Sequence, residues 1–585
     1  MKFLFVFNTP GFLRYFDTTI EELLAREHEV VLMFQRPDLR PESLEILDLG
    51  HPRLSIVEDF RTRTDSYAEL AVGVRSATDY VRYLDPRFED LEFLRNRQRA
   101  RALRDAPWVS RYGDRKSIWG PKARATVRFL LVCERAIPSA PEVEQQLREL
   151  APDAVLVSPL VTSRSPQTDY VKSAQALGIP AGLCVASWDN LTNKGLMRVV
   201  PDRVFVWNET QQQEADEFHD VPSKRVVLTG AQPFDRWFGR HPRETREQFC
   251  TKVGLDPGRP YVIFVGSSSN IARDNVEEGF VRRWIEELRG SSDPLLREIG
   301  VLVRPHPDRR GDWGAVDLEG LENATLWPPH RPNSVAPDAR ADYFDSLYHS
   351  AAVVGINTSA MIEGAIIDRP VLTIRAPEFD ESQRGTIHFR YLLPENGGFL
   401  LVAPDFAEHV RQLAEAVREP KQAADLNERF VRSFIRPHGL ERPCTDVLVA
   451  ELERFAALEP RPKRLRPTLY PLRAVLALAA ARAGRRRRRA DPEAIARRVA
   501  KRSARLQTLA TVLRVVPPLA ALLERKAEET RADGAKRELR KVKDREKVAR
   551  QEHVAASKEV KRRGRKLLEQ GAKNRKATET EELNV

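Results

Sequence analysis

Five short polar segments of the sequence carry the residue types that grip phosphates and move protons. The first runs Asn8-Thr9-Pro10-Gly11-Phe12-Leu13-Arg14. Gly11 permits close backbone approach, while the Asn8 amide and the Arg14 guanidinium suit an acceptor group or a phosphate. An ordinary strand-to-helix turn would account for the same residues. The second, Ser187-Trp188-Asp189-Asn190-Leu191-Thr192-Asn193-Lys194-Gly195, is harder to explain as a connection. Trp188 offers a flat face for a sugar or base, Lys194 a point charge for phosphate, and Asp189 a candidate base. Asp189 and Asn190 could instead cap a following helix. Ser158 to Arg164 reads as a neighbouring wall.

The third segment, Gly266-Ser267-Ser268-Ser269-Asn270, combines backbone N–H groups with hydroxyls, the equipment for holding a diphosphate. In the fourth, Arg304-Pro305-His306-Pro307, two prolines stiffen a histidine that could donate to a phosphate beside a neutralising arginine. The fifth delivers Asn357, Thr358 and Ser359 to a helix start, with Glu363 about one turn later. That helix N-terminus suits phosphate oxygens and the carboxylate suits ribose hydroxyls. The competing reading is a simple N-cap completed by Glu363. His388 adds a second candidate histidine nearby.

Each segment follows a short apolar, β-rich run, and such runs alternate with stretches long enough for helices, the signature of a parallel sheet built from βαβ units. One series of strand candidates covers 2–8, 29–34, 54–57, 154–158, 181–186, 202–207 and 226–229; a second covers 261–266, 300–304, 324–327, 351–356, 371–375 and 399–402. The pattern predicts an α/β protein with two facing Rossmann-like domains, residues 1–230 and 231–457. Loops at the carboxyl ends of such strands are where ligands bind. Residues 60–145 interrupt the first series with an Arg-rich helical insertion, and 406–418 and 421–457 read as return helices.

Charge divides the 585-residue chain. Residues 461–585 hold 37 Lys and Arg against 15 Asp and Glu, net +22, whereas residues 1–460 hold 59 against 69, net −10. The body is acidic, which argues against a nucleic-acid groove through it. Residues 458–490 read as a Pro/Arg-rich basic linker containing Arg485 to Arg489, and 491–585 as a charged tail, helical or disordered. Val542, Val548, Val554 and Val560 recur every six residues, which fits no coiled-coil heptad. Such a tail suits an anionic membrane surface. The four cysteines stand apart without zinc spacing, so no metal site is expected. The apolar start reaches Pro10 and Gly11 too early for a signal peptide, and no run of ~18 apolar residues spans a membrane, so a cytoplasmic protein is expected.

The Arg-Pro-His-Pro segment at 304–307, paired with the Asn-Thr-Ser-Ala-Met-Ile-Glu-Gly block at 357–364 and its trailing Arg369-Pro370-Val371-Leu372, resembles the donor domain of GT-B glycosyltransferases. It is most similar to the bacterial group of CDP-glycerol glycerophosphotransferases, capsular polysaccharide transferases and UDP-GlcNAc 2-epimerases. The resemblance covers about residues 1–457, with its motifs between 181 and 390. The block departs from polyol-phosphate transferases, which carry an Asp and serines at the Asn357-Thr358-Ser359 position.

That resemblance implies a transferase moving a glycosyl or polyol-phosphate group from a nucleotide-activated donor, held by the second domain, to a polysaccharide or lipid-linked acceptor held by the first. Within that division the polar segments read above supply the expected donor contacts, Ser267, Ser268, Ser269, Arg304, Asn357, Thr358, Ser359 and Glu363, and the expected acceptor contacts, Asn8, Gly11, Arg14, Trp188, Asn190 and Lys194. Asp189, His306 and His388 are the catalytic candidates. No cofactor is expected, the nucleotide diphosphate donor being a substrate, and the sequence has no Asp-x-Asp triplet to carry a metal-held diphosphate. A UDP-sugar 2-epimerase, or a non-catalytic scaffold acting through its tail, remains the alternative.

Overall fold

The computed structural model describes residues 1–112, 120–268, 271, 276–309, 313, 318, 320–330, 335–459, 461–490, 525 and 528. The first part of the chain runs β1 (Lys2–Phe7), α1 (Asp17–Ala25), β2 (Glu29–Phe34), β3 (Leu54–Val57), α2 (Ala68–Arg82), α3 (Glu92–Asp105), α4 (Pro121–Ala136), α5 (Pro141–Leu150), β4 (Ala154–Ser158), α6 (Gln167–Leu177), β5 (Ala181–Cys184), β6 (Arg203–Val206), α7 (Glu209–His219) and β7 (Val226–Leu228). The second runs α8 (Arg246–Val253), β8 (Tyr261–Val265), α9 (Val276–Gly290), α10 (Pro294–Glu298), β9 (Gly300–Arg304), β10 (Ala324–Leu326), α11 (Pro337–Tyr348), β11 (Ala352–Gly355), α12 (Ser359–Ile366), β12 (Val371–Ile374), β13 (Leu401–Ala403), α13 (Phe406–Arg418), α14 (Ala424–Phe430), α15 (Cys444–Ala456) and α16 (Tyr470–Ala490). Every strand expected from the apolar runs is present.

The strands form two all-parallel sheets, ordered β3-β2-β1-β4-β5-β6-β7 and β10-β9-β8-β11-β12-β13. Central strands such as β4, β5, β8 and β9 are buried along their whole length, as helices on both faces require. In each sheet the order reverses direction once, between β1 and β4 and between β8 and β11. Strand ends part at such a switch point, leaving a crevice. At the first, the Gln167 amide nitrogen bridges the parted backbones, donating to Val6 at 2.9 Å and to Ser158 at 2.7 Å.

The two-sheet arrangement is completed by the C-terminal helices. Continuous helix over 421–457 is not what forms: after α14 the chain widens into a π-turn (Val431–Ile435) and breaks before α15. Pro437, Gly439 and Pro443 supply the break, since proline cannot donate to a helical carbonyl. Asp235 fixes this crossing, pairing with Arg436 at 2.9 Å and accepting from the Cys444 and Thr445 N–H groups at 3.1 and 2.7 Å. Leu448, Leu452 and Phe455 then pack onto Phe3, Phe5 and Phe205 of the first sheet. A further apolar core, including Trp207, Phe234, Met361 and Phe434, joins the two halves.

The expected insertion is α2–α4, held to the first domain by buried charges. Arg75 reaches both Glu134 (2.9 Å) and Asp169 (2.7 Å), each almost fully buried. A buried charge persists only when paired. Burial opposes the charge of Glu134, but Arg75 and Lys172 outweigh it and hold its carboxyl down at about 2.

Residues 458–490 are not merely a linker, because Leu472, Leu476 and Ala480, recurring every four residues, turn one face of α16 onto the insertion; Leu476 joins its apolar core and Ala480 is fully buried. Met1–Ala480 form one compact unit; from Ala481 onward is a second, of which the end of α16 and residues 525 and 528 are described. The charged tail, 491–585, otherwise lies outside the described residues. No described helix is long and apolar enough to cross a membrane. All four cysteines are buried thiols.

Candidate functional site

Both switch points open on one cleft, which consists of two adjoining cavities. The larger, about 750 Å³, is walled by first-domain loops, by α3 and by the starts of second-domain loops; the smaller, about 260 Å³, lies over the second sheet. Arg14, Tyr15, Ser187, Trp188, His306, Thr358 and Ser359 line both. Segments 350 residues apart in sequence meet there because each follows a strand beside a switch point.

The shared wall is built by backbone geometry. A Cβ on Gly266 would lie 2.9 Å from the His306 nitrogen, so glycine at the end of β8 is what lets the His306 segment pass. Thr358 occupies the N-cap of α12 in extended conformation without a side-chain capping bond. Glu363 does not close a capping box either; it accepts from the Tyr343 hydroxyl and lines the smaller cavity. Desolvation raises its carboxyl to about 7, against the opposing pull of the Tyr343 bond and Arg14. Trp237 meets the Tyr343 ring edge-on at 5.8 Å, giving that cavity an aromatic wall.

On the larger side, the Ser187–Gly195 loop is braced internally rather than capping a helix. Asp189 accepts from Ser187 Oγ at 2.6 Å and Asn193 Nδ2 at 2.7 Å, with Lys194 Nζ at 3.7 Å. Burial works against its charge, but Lys194, His388 and those two bonds prevail and hold the carboxyl far below the usual carboxylate range. Asn190 Oδ1 accepts from the Ala186 N–H at 3.1 Å, closing the loop. His388 is buried, meets Trp188 edge-on at 4.7 Å, and has an Nδ1 without a hydrogen-bond partner among the described residues. Desolvation lowers its pKa to about 4, opposed by Asp189, so the imidazole is neutral at pH 7.

The insertion holds this loop by its carbonyls. Arg82 Nη1 donates to Gly195 at 3.0 Å, the Tyr83 hydroxyl to Lys194 at 3.0 Å, and Arg97 to Asn193. His219 braces it from beneath: the Met197 N–H donates to Nδ1 at 3.0 Å, so Nε2 carries the proton that meets the Leu191 carbonyl at 2.8 Å. Protonation would break the first bond, and burial pushes this histidine down to about 3.

Most expected site residues line the cleft: Asn8, Arg14, Trp188, Asp189, Asn190, Lys194, Ser268, His306, Asn357, Thr358, Ser359 and His388, with Arg304 and Glu363 in the smaller cavity. Four expectations change. Ser267 is fully buried, its N–H turned away from the cleft onto the Glu277 carboxylate at 2.9 and 3.1 Å. Gly11 sits behind the first loop, where a Cβ would approach Arg40 Cδ to 2.9 Å, so its role is in the turn. Arg304 already spends its charge on Asp342 at 2.9 Å. Asn357 uses Nδ2 on the Ser382 carbonyl at 2.6 Å, leaving its buried Oδ1 without a partner among the described residues. Ser269 lies outside the described residues. Arg36, Arg97, Gln98, Arg101 and Arg104 also line the larger cavity and were not singled out from sequence, while Arg164 belongs to the Ser158–Arg164 wall that was. The i, i+4, i+7 spacing of Arg97, Arg101 and Arg104 on one helix face was the available signal. No cluster of three or more His, Cys, Asp or Glu able to hold a metal occurs among the described residues.

No family model and no curated protein matches the chain. Solved structures of similar shape include a UDP-GlcNAc 2-epimerase from Neisseria meningitidis bound to UDP-GlcNAc, 12% identical with TM-score 0.45 over 78% of this chain and 100% of that one. A glycosyltransferase from Rickettsia africae is 9% identical with TM-score 0.43, over 78% and 97% of the two chains. The wall teichoic acid polymerase TagF is 10% identical with TM-score 0.39, over 78% and 89%. The strand orders and the C-terminal crossing, rather than these distant likenesses, define the fold.

Proposed function

We propose that this protein is a transferase that moves a glycosyl or polyol-phosphate group from a nucleotide-activated donor to a cell-envelope polysaccharide or lipid-linked acceptor, without a cofactor, at the cytoplasmic face of the membrane. The observation that carries the reading is the meeting of the two switch-point cavities at His306, Thr358 and Ser359. The aromatic smaller cavity takes the nucleoside, with Glu363 on the ribose hydroxyls. The diphosphate lies at the shared wall, where the start of α12, the two hydroxyls and His306 face negative charge.

The transferred group then points into the larger cavity, towards Trp188 and His388. The acceptor hydroxyl passes its proton to His388 Nδ1 as its oxygen bonds to the transferred centre. The bond from that centre to the nucleotide phosphate breaks, and the nucleotide departs with the electron pair. Asp189, held ionised, stabilises the imidazolium that forms. Arg14 and the shared wall offset the charge growing on the leaving phosphate.

Incubation with a panel of nucleotide sugars and cell-envelope glycolipids tests this. Release of nucleoside diphosphate or monophosphate with a modified acceptor supports transfer. An epimerised nucleotide sugar without an acceptor would identify a 2-epimerase instead, and no turnover with any donor would leave a scaffold.

A further inference from the structure

The larger cavity carries far more positive charge than a donor diphosphate at its edge requires. Its lining includes six arginines and Lys194 against the carboxylate of Asp189, and Asp105 behind it pairs with Arg164 and lies 3.9 Å from Arg104, which leaves the positive charge in clear excess. Three of the arginines, Arg97, Arg101 and Arg104, come from α3 of the insertion and share one helix face. Arg36 and Arg101 have no carboxylate partner among the described residues. Crowding of like charges in a half-enclosed space is unfavourable unless an anion enters it.

Two further observations point to a ligand. Gln98, between these arginines, is 1% exposed and lines the cavity, yet neither its Oε1 nor its Nε2 has a hydrogen-bond partner among the described residues. A buried amide left wholly unsatisfied is unfavourable, so it marks a place completed by something absent. Across the cavity, Ser163 Oγ is likewise without a partner, in a loop where Leu160 and Arg164 adopt φ of 55° and 59°. Left-handed conformation at two non-glycine residues in one loop is strain of the kind held at binding sites.

We propose that the α3 face, with Gln98, Ser163 and Arg36, is a subsite for a phosphate ester on the acceptor. This rests on the transferase reading and specifies its acceptor as phosphorylated. The phosphate belongs either to a prenyl phosphate or to a phosphorylated glycan. Planar guanidinium groups bind its oxygens in pairs, and the Gln98 amide and Ser163 hydroxyl donate to those left over. Placing this anion on an inserted subdomain keeps it apart from the donor diphosphate, which the second sheet holds.

The test is equilibrium binding to the full-length protein at physiological salt, using matched pairs: farnesyl phosphate against farnesol, and maltohexaose phosphate against maltohexaose. UDP, CDP and GDP serve as donor probes. At least one phosphorylated ligand binds ten-fold or more tighter than its neutral partner. Arg101→Gln combined with Arg104→Gln removes most of that difference and leaves nucleotide affinity within about two-fold; both side chains are partly or largely exposed, so the fold is spared. Gln98→Leu, which fills the site with an apolar group, likewise weakens only the phosphorylated ligand. Equal binding of neutral and phosphorylated partners, or phosphate binding indifferent to both variants, overturns the subsite. If nucleotides fail to bind while the arginine-dependent preference persists, the donor reading falls and the anion subsite stands.

Discussion

The hydroxyl of Tyr83, on the inserted subdomain, donates to the backbone carbonyl of Lys194 at 3.0 Å, in the loop that presents Trp188 and Asp189 to the cleft. With Arg82 and Arg97 on the adjoining carbonyls, the insertion is the support of that loop. Tyr83→Phe keeps the buried ring and removes one donor, leaving a carbonyl without its partner. Stability should fall by about 0.5–1.5 kcal/mol. Amide exchange over residues 188–196 should quicken more than elsewhere; uniform protection would show that the insertion does not position the loop.

Gly195 allows the loop to close on the insertion. A Cβ there would lie 2.8 Å from both carboxylate oxygens of Asp79 and from the Val161 carbonyl. Asp79 cannot give way easily, because it is fully buried and holds Arg198 and the Leu196 N–H. Gly195→Ala should therefore destabilise by about 1–3 kcal/mol, as overpacking does. A melting temperature equal to the parent's would contradict this geometry.

The elements were legible in the sequence because each parallel strand, buried on both faces, is written as a short continuous apolar run. The polar loops that follow those runs were legible for the same reason. What sequence hid was orientation. Nothing in Gly266-Ser267-Ser268 tells that Ser267 turns inward to Glu277 while Ser268 faces the cleft. Likewise the arginines of α3 look like an ordinary solvated helix face until the insertion is folded against the first domain. Arg304, at the end of β9, looked available for phosphate because its partner Asp342 lies 38 residues on, on α11.

Glu363 predicts a pH dependence. Its folded carboxyl is raised to about 7 from an unfolded value of 4.5. The ionised form is the better acceptor for ribose hydroxyls, so donor affinity should rise as pH passes upward through about 7. The same shift means that this group costs folding stability progressively from pH ~4.5 through 7, where the unfolded state holds fewer protons. Glu363→Gln should abolish the affinity rise and gain relative stability at pH 8 over pH 5. A parent whose nucleotide affinity is flat between pH 5.5 and 8.5 would remove Glu363 from the ribose.

The tail carries a separate expectation. Leu472, Leu476 and Ala480 pack against the body, so a chain ending at Arg482 should remain folded, whereas one ending at 457 would lose that cover. The intact protein should associate with phosphatidylserine vesicles and release at high salt, each basic residue near the surface adding roughly 1 kcal/mol before screening. The chain ending at Arg482 should not associate. Equal partitioning of both chains would mean that the +22 tail is not a membrane anchor.

Most direct is calorimetric titration of nucleoside diphosphates into the parent protein and His306→Ala. His306 stands on the wall common to both cavities and is not a core packing residue. Loss of a hydrogen bond to a charged phosphate costs about 1.5–3 kcal/mol, so affinity should drop roughly ten- to a hundredfold with the melting temperature nearly unchanged. Unaltered nucleotide affinity in a folded His306→Ala protein, or no binding of any nucleoside diphosphate by the parent, would contradict a nucleotide-activated donor in this cleft.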